Sequence, residues 1–123
     1  ANWLSDHAPV AVKVLHPEHI QDENYQKVYV RQCTGPGSTF SFVLNADRHT
    51  AFKFINALSL FKSAVSLGGT ESLVSHPAST THSSVPESVR RDVGIEEGLI
   101  RISVGMEHPD DLIADLKNAF KAI

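Results

Sequence analysis

The chain has 123 residues, 41% of them hydrophobic and 20% charged, which is the size and composition of one globular domain and excludes whole-chain disorder, collagen-like repeats and coiled coil. A net charge of -3 argues against the broad basic face that a phosphate backbone needs. The single cysteine, Cys33, permits neither an internal disulfide nor a multi-thiolate metal site and fits a reducing cytoplasm.

No apolar run approaches the ~20 residues of a membrane span. The chain opens Ala1-Asn2-Trp3-Leu4 with no initiator methionine and no charged-then-apolar leader, so processing or a piece of a longer protein is the expectation. Val10, Val12 and Val14 alternate with Ala11 and Lys13, the period of two of a half-buried strand. Leu15-His16-Pro17 ends it, because Pro17 lacks an N–H and restricts the residue before it. Residues 21–32, polar but carrying Tyr25, Val28 and Tyr29, predict a helix. Thr34-Gly35-Pro36-Gly37-Ser38 is turn chemistry. Phe40, Phe42 and Leu44 then alternate with Ser41 and Val43, a second strand.

Asp47 is suited to capping a helix start. Ala51, Ile55, Leu58 and Phe61 follow at helical spacing and predict about four turns, with Phe52, Ile55 and Phe61 assigned to the core. Residues 63–66 read as a short extended piece ending at Gly68-Gly69. Residues 72–84, rich in Ser, Thr and His, predict a long ordered loop with a short strand inside it. Pro86 opens a short helix through Asp92, and Gly94 stops it. Residues 99–104 form the strongest strand pattern of the chain. Pro109, Asp110 and Asp111 open the last helix with favourable dipole charge, and Leu112, Leu116 and Phe120 recur every four residues beside Ile113 and Ile123. The expectation is one α+β domain over residues 1–123, a small sheet covered on one face by helices, because each helix has a single apolar stripe to bury.

Arg101 is the first candidate for chemistry. Ile100, Ile102 and Val104 share one strand face, so Arg101 and Ser103 point to the other, away from the helices. A guanidinium held there can grip a carboxylate through two parallel hydrogen bonds, although by position alone an ordinary exposed or salt-bridged arginine is the commoner reading. Ser66-Leu67-Gly68-Gly69-Thr70-Glu71-Ser72 can turn backbone amides towards an anion, yet it matches neither common phosphate-loop spacing and by itself reads as a turn. The seven histidines include no pair four apart on a predicted helix and no carboxylate at metalloprotease spacing, so no metal site is expected. No nucleophile-elbow pattern is present.

Taken in order, residues 66–73, His76-Pro77-Ala78-Ser79-Thr80-Thr81-His82-Ser83, Gly94-Ile95, Leu99-Ile100-Arg101-Ile102-Ser103-Val104-Gly105 and Asp111-Leu112-Ile113-Ala114-Asp115-Leu116 resemble the C-terminal domain of the Cys/Met-metabolism family of pyridoxal-phosphate enzymes. His16-Pro17 and Arg31-Gln32 are collinear with it earlier in the chain. The resemblance implies the C-terminal subdomain of a fold-type I transferase. It implies that Arg101 binds the substrate α-carboxylate, with Ser66 and Leu67 beside that carboxylate and Thr81 supporting the arginine pocket. Val65 stands where members acting on cystathionine carry an acid, and resembles methionine gamma-lyases and homoserine sulfhydrylases instead. Gly69 tilts the resemblance towards a sulfhydrylase, and Thr80 replaces a methionine.

The same resemblance implies pyridoxal 5'-phosphate as cofactor, an amino-acid substrate and a homotetramer. It assigns the Schiff-base lysine, the phosphate loop and the cofactor-stacking tyrosine to an upstream domain. None of Lys13, Lys27, Lys53, Lys62, Lys117 and Lys121 lies in a Ser/Thr-rich context of the lysine motif. The chain is therefore expected to be the C-terminal part of a much longer enzyme, inactive by itself and without a catalytic residue of its own. The expected reaction is γ-replacement or β/γ-elimination on homoserine-ester, methionine or cysteine-type substrates. A stand-alone binding or regulatory module derived from that domain, self-associating through an apolar face, is the alternative.

Overall fold

The computed structural model describes residues 1–10 and 12–123. Ala11, part of the first predicted strand, lies outside the described residues. A five-stranded sheet runs in the order β1 (Val12–Leu15), β2 (Thr39–Leu44), β5 (Leu99–Ser103), β4 (Leu73–Ser75) and β3 (Lys62–Ser63). Strands β1, β2, β5 and β4 pair antiparallel with their neighbours, and β3 joins β4 in parallel. The short strand expected within residues 72–84 is β4. The extended piece expected at 63–66 shrinks to β3, and residues 65–69 continue as loop.

Alternation divides the sheet into two faces. Phe40, Phe42, Leu44, Val74, Ile100 and Ile102 point into one core cluster with Phe54, Leu112, Leu116 and Phe120. Those partners come from α3 (Arg48–Ala57) and α5 (Pro109–Phe120). The aromatic rings meet edge to face, Phe54 lying 4.8 Å from Phe120 and 5.8 Å from Phe42 between centroids, the geometry that ring quadrupoles favour. Leu4 of α1 (Asn2–His7), a helix absent from the sequence expectation, completes the cluster. Helix α2 (Glu23–Gln32) buries no residue. It is capped by Asp22, whose carboxylate accepts the Tyr25 N–H at 2.7 Å. Helix α4 (Glu87–Asp92) follows a 3-10 turn at Pro77–Ser79. As predicted, Gly94 breaks the chain after α4, adopting φ +79°.

The third helix begins where expected, with the Asp47 carboxylate accepting the Thr50 N–H at 2.9 Å. It is shorter than expected, ending at Ala57. The reason lies in α5: the buried Asp115 carboxylate accepts the N–H groups of Ser59, Leu60 and Phe61 at 2.8, 2.9 and 3.2 Å. These amides are drawn out of the helical ladder, and Phe61 reaches the core from a loop. The helical stripe is also rotated. Phe54 is fully buried, whereas Phe52 is 38% exposed and rests edge-on against His76 at 5.1 Å.

Glu97 ties the ends of two helices to the approach to β5. Arg48 donates to it through Nε at 2.6 Å and Nη2 at 3.0 Å, and the buried Arg90 donates through Nη2 at 2.6 Å. Its backbone oxygen accepts from His76 Nε2 at 2.8 Å, so that ring nitrogen carries the proton. The Arg48 hydrogen bonds, followed by those of Arg90, hold the Glu97 carboxyl down at about 2, against the opposing effect of burial.

Asp115→Ala should lower the unfolding free energy by about 3 kcal/mol in urea titrations, because three amides lose their acceptor at once. Glu97 is depressed in the folded state, so its stabilisation is complete above the ordinary glutamate range and is lost as pH falls towards 2. Urea midpoints measured against pH should drop across that window, and Glu97→Gln should flatten the drop.

Candidate functional site

Arg101 occupies the middle of β5, which is paired on both sides. Its in-register neighbours are Ser41 on β2 and Ser75 on β4, and residues in register share a face. Arg101 therefore rises from the face opposite the aromatic core between two small side chains. That face is not open, as the alternation pattern had suggested. A loop through residues 65–68 roofs it, and the half-buried Arg101 turns its Nη2 to the carbonyls of Val65 at 2.7 Å and Ser66 at 3.2 Å. The Nε and Nη1 groups have no hydrogen-bond partner among the described residues. A planar cation with unclaimed donors is suited to binding a carboxylate.

The roof is fastened at successive points. Ala64 extends the parallel pairing, its N–H donating to Val74 O at 3.0 Å. Gly68 turns the chain with φ +73°, a conformation that a side chain would strain. Its N–H donates to Ser103 Oγ at 2.8 Å. Met106 N–H donates to Thr70 O at 2.9 Å. Ser72 gives its N–H and its hydroxyl to the Glu107 carboxylate at 2.7 and 2.8 Å, and accepts the Gly105 N–H at 2.8 Å. The Ser72 N–H, Glu107's own amide and the Ser72 hydroxyl together hold the Glu107 carboxyl below its usual range. The two segments run so close at Gly105 that a Cβ there would stand 2.5 Å from the Thr70 oxygen.

Three of the four residues singled out from sequence thus gather: Arg101, with Ser66 and Leu67 on the loop above it. Leu67, the next residue along that loop, is an apolar side chain 55% exposed. Thr81 stands apart. It is exposed in the turn after Pro77–Ser79, with its Oγ1 2.8 Å from His82 Nδ1 and no hydrogen bond to Arg101 among the described residues. The neighbouring Thr80 hydroxyl donates to His76 O at 2.8 Å. Ser75 adds a feature that sequence reading missed: its Oγ is buried beside Arg101 with no hydrogen-bond partner among the described residues. The tie between Glu107 and Ser72 was missed too, because no local pattern links residues 35 positions apart.

No group of three His, Cys, Asp or Glu side chains able to hold a metal ion occurs among the described residues. Of the two histidines flanking Pro17, His16 is buried, and that burial lowers its pKa. No helix among the described residues is long and apolar enough to cross a membrane.

Residues 1–121 match the family described as Cys/Met metabolism PLP-dependent enzyme. Cystathionine gamma-synthase of Escherichia coli strain K12 is 44% identical over 114 residues, 93% of this chain and 29% of that protein. Cystathionine gamma-lyase of Sus scrofa is 46% identical over 125 residues, covering 99% of this chain and 30% of that protein. L-methionine gamma-lyase of Pseudomonas putida is 50% identical over 92 residues, 75% of this chain and 23% of that protein. Two solved structures superpose with TM-scores of 0.85 at 35% identity. One is cystathionine gamma-lyase of Lactobacillus plantarum complexed with L-serine, covered over 99% of this chain and 31% of its own. The other is a Campylobacter jejuni structure of the O-acetylhomoserine (thiol)-lyase (metY) type carrying N'-pyridoxyl-lysine-5'-monophosphate, covered over 98% of this chain and 28% of its own. The chain therefore spans about three tenths of the length of the relatives it matches, and these relatives bear synthase and lyase names alike. Sequence along almost the whole chain and backbone geometry agree: the chain belongs to the Cys/Met metabolism family of pyridoxal-phosphate-dependent enzymes.

Proposed function

We propose that this chain is the C-terminal, substrate-carboxylate-binding part of a pyridoxal-phosphate enzyme performing γ-replacement or β/γ-elimination on homoserine-ester, methionine or cysteine-type amino acids. The carrying observation is Arg101, fixed in a central strand, oriented by the Val65 and Ser66 carbonyls, and left with Nε and Nη1 donors unclaimed among the described residues. Pyridoxal phosphate, when bound, supplies the electron sink that lets bonds at the amino-acid carbons break. This chain's contribution is to hold the α-carboxylate, so that the amino acid meets the cofactor in one orientation.

The residues present suit the carboxylate end of the substrate rather than the cofactor itself. The roof turns carbonyl oxygens to the guanidinium, and carbonyls repel a phosphate. Among the lysines, Lys62 donates to Ser59 O, Lys121 to Asn118 Oδ1, and Lys117 lies over the Trp3 ring. An upstream region is accordingly assigned the cofactor and its lysine, and the assembled enzyme is read as a homotetramer in a reducing compartment. Leu67 and Val65, both more than half exposed, are apolar surface that such a region would cover. Thr81 is assigned to the edge of the arginine pocket, and Ser66 to its rim. Val65 favours substrates without a second ammonium group, since it offers no acid to meet one.

Two measurements test the reading. In the enzyme that contains this chain, Arg101→Ala should raise KM for the amino acid about 10- to 100-fold, the loss of one charge-assisted hydrogen bond of roughly 1.5–3 kcal/mol. An unchanged KM would remove Arg101 from carboxylate binding. Titrated with pyridoxal phosphate by itself, this polypeptide should show no stoichiometric absorbance band that borohydride traps on one lysine. A single trapped lysine would place a cofactor site within these 123 residues.

A further inference from the structure

Ser66 and Leu67 lie on a loop without regular structure, so strand pairing alone does not fix them over Arg101. The ties follow a pattern along β5 and the turn after it. Arg101 holds Val65 and Ser66, Ser103 holds Gly68, Gly105 meets Ser72, and Glu107 meets Ser72 again. Within the strand the ties come from the side chains of Arg101 and Ser103, which share a face, and beyond its end the Gly105 N–H and the Glu107 carboxylate both converge on Ser72.

Glu107 is the outermost of these ties and the only carboxylate among them. Its two oxygens take both donors of Ser72, and Ser72 is 0% exposed, so water cannot replace a lost acceptor there. Bonds to an ionised oxygen are also the strong ones. The Ser72 hydroxyl passes the tie onward by accepting from Gly105, and the Met106 N–H pins Thr70 between them.

We infer that Glu107 is a positioning residue for the Arg101 site, setting through Ser72 where Ser66 and Leu67 stand over the guanidinium. The inference rests on the reading of Arg101 as the carboxylate anchor. Glu107 itself makes no hydrogen bond to Arg101 among the described residues. Its effect is to keep the loop, and with it the orientation of the guanidinium, ready before substrate arrives.

The test compares Glu107→Ala, Glu107→Gln, Ser72→Ala, the Ser72→Ala/Glu107→Ala double variant and Arg101→Ala in the pyridoxal-phosphate-loaded enzyme that contains this chain. Glu107→Ala should raise KM for the amino acid about tenfold and change kcat by less than about twofold, the pattern of lost ground-state binding. Glu107→Gln, which keeps an acceptor for the Ser72 N–H, should fall between Glu107→Ala and the parent, and it carries the test if Glu107→Ala does not fold. The double variant should be no worse than the poorer single one, because both act through the same contact. In the same loaded enzyme, amide exchange at Gly68 should quicken in the Glu107 variant while Phe42 and Ile100 in the core stay protected. An unchanged KM in the Glu107 variants, with KM raised by Arg101→Ala, would overturn the positioning role and leave the anchor standing. An unchanged KM in Arg101→Ala would remove both. Exchange quickening equally at Gly68 and Phe42 would show a general loss of stability and overturn the inference.

Discussion

Strand β5 is hydrogen-bonded along both edges, to β2 and to β4, and its side chains have only two directions to take. Ile100 and Ile102 go into the aromatic core, each 1% exposed or less. That commitment sends Arg101 and Ser103 to the opposite face with the precision of a packed strand. A one-residue slip in register would bury the guanidinium among phenylalanines, at a cost no small domain could sustain. The aromatic core on one side of β5 therefore fixes the polar site on the other.

Where strands and helices stop, carboxylates take over. Asp115 gathers three amides of the 59–61 segment, Glu97 joins two arginines from separate helices, and Glu107 takes both donors of Ser72. Each of the three does what a cap does for a helix end: it satisfies backbone or side-chain donors that have no ladder to join. Of these, the Glu107–Ser72 tie lies on the loop that runs over Arg101. Charge-assisted bonds to backbone also orient better than ion pairs between two flexible side chains, since one partner is already fixed. A site on a loop needs such support if a carboxylate is to be held in one orientation.

Much of this organisation is legible in the residue order. Alternation located β2 and β5, the Asp47 cap located the start of α3, and Pro109 with its acidic neighbours located α5. The face assignment of Arg101 and Ser103 followed from the isoleucines between and beside them. The family motifs, read in order from Ser66 to Leu116, gave the same grouping of Ser66, Leu67 and Arg101 that the fold brings together. Each of these signals is local or periodic, and local preference agrees with the final fold at these positions.

Other features arise only when distant segments meet. The length of α3 was misread because Leu58 and Phe61 continue the helical spacing, and only Asp115, more than fifty residues later, diverts the amides between them. Phe52 gave way to Phe54 as the buried residue because helix rotation is set by the partner surface, not by spacing along one element. The roof over Arg101, the placing of Ser75 beside it and the Glu107–Ser72 tie likewise have no local signature, because each depends on a contact between chain segments about 25 to 35 residues apart. The sequence by itself determined the strands, the main helix starts and the direction in which Arg101 points. The tertiary structure alone decided what covers that arginine and what holds the cover in place, since hydrogen bonds between remote segments exist only after the core has brought them together.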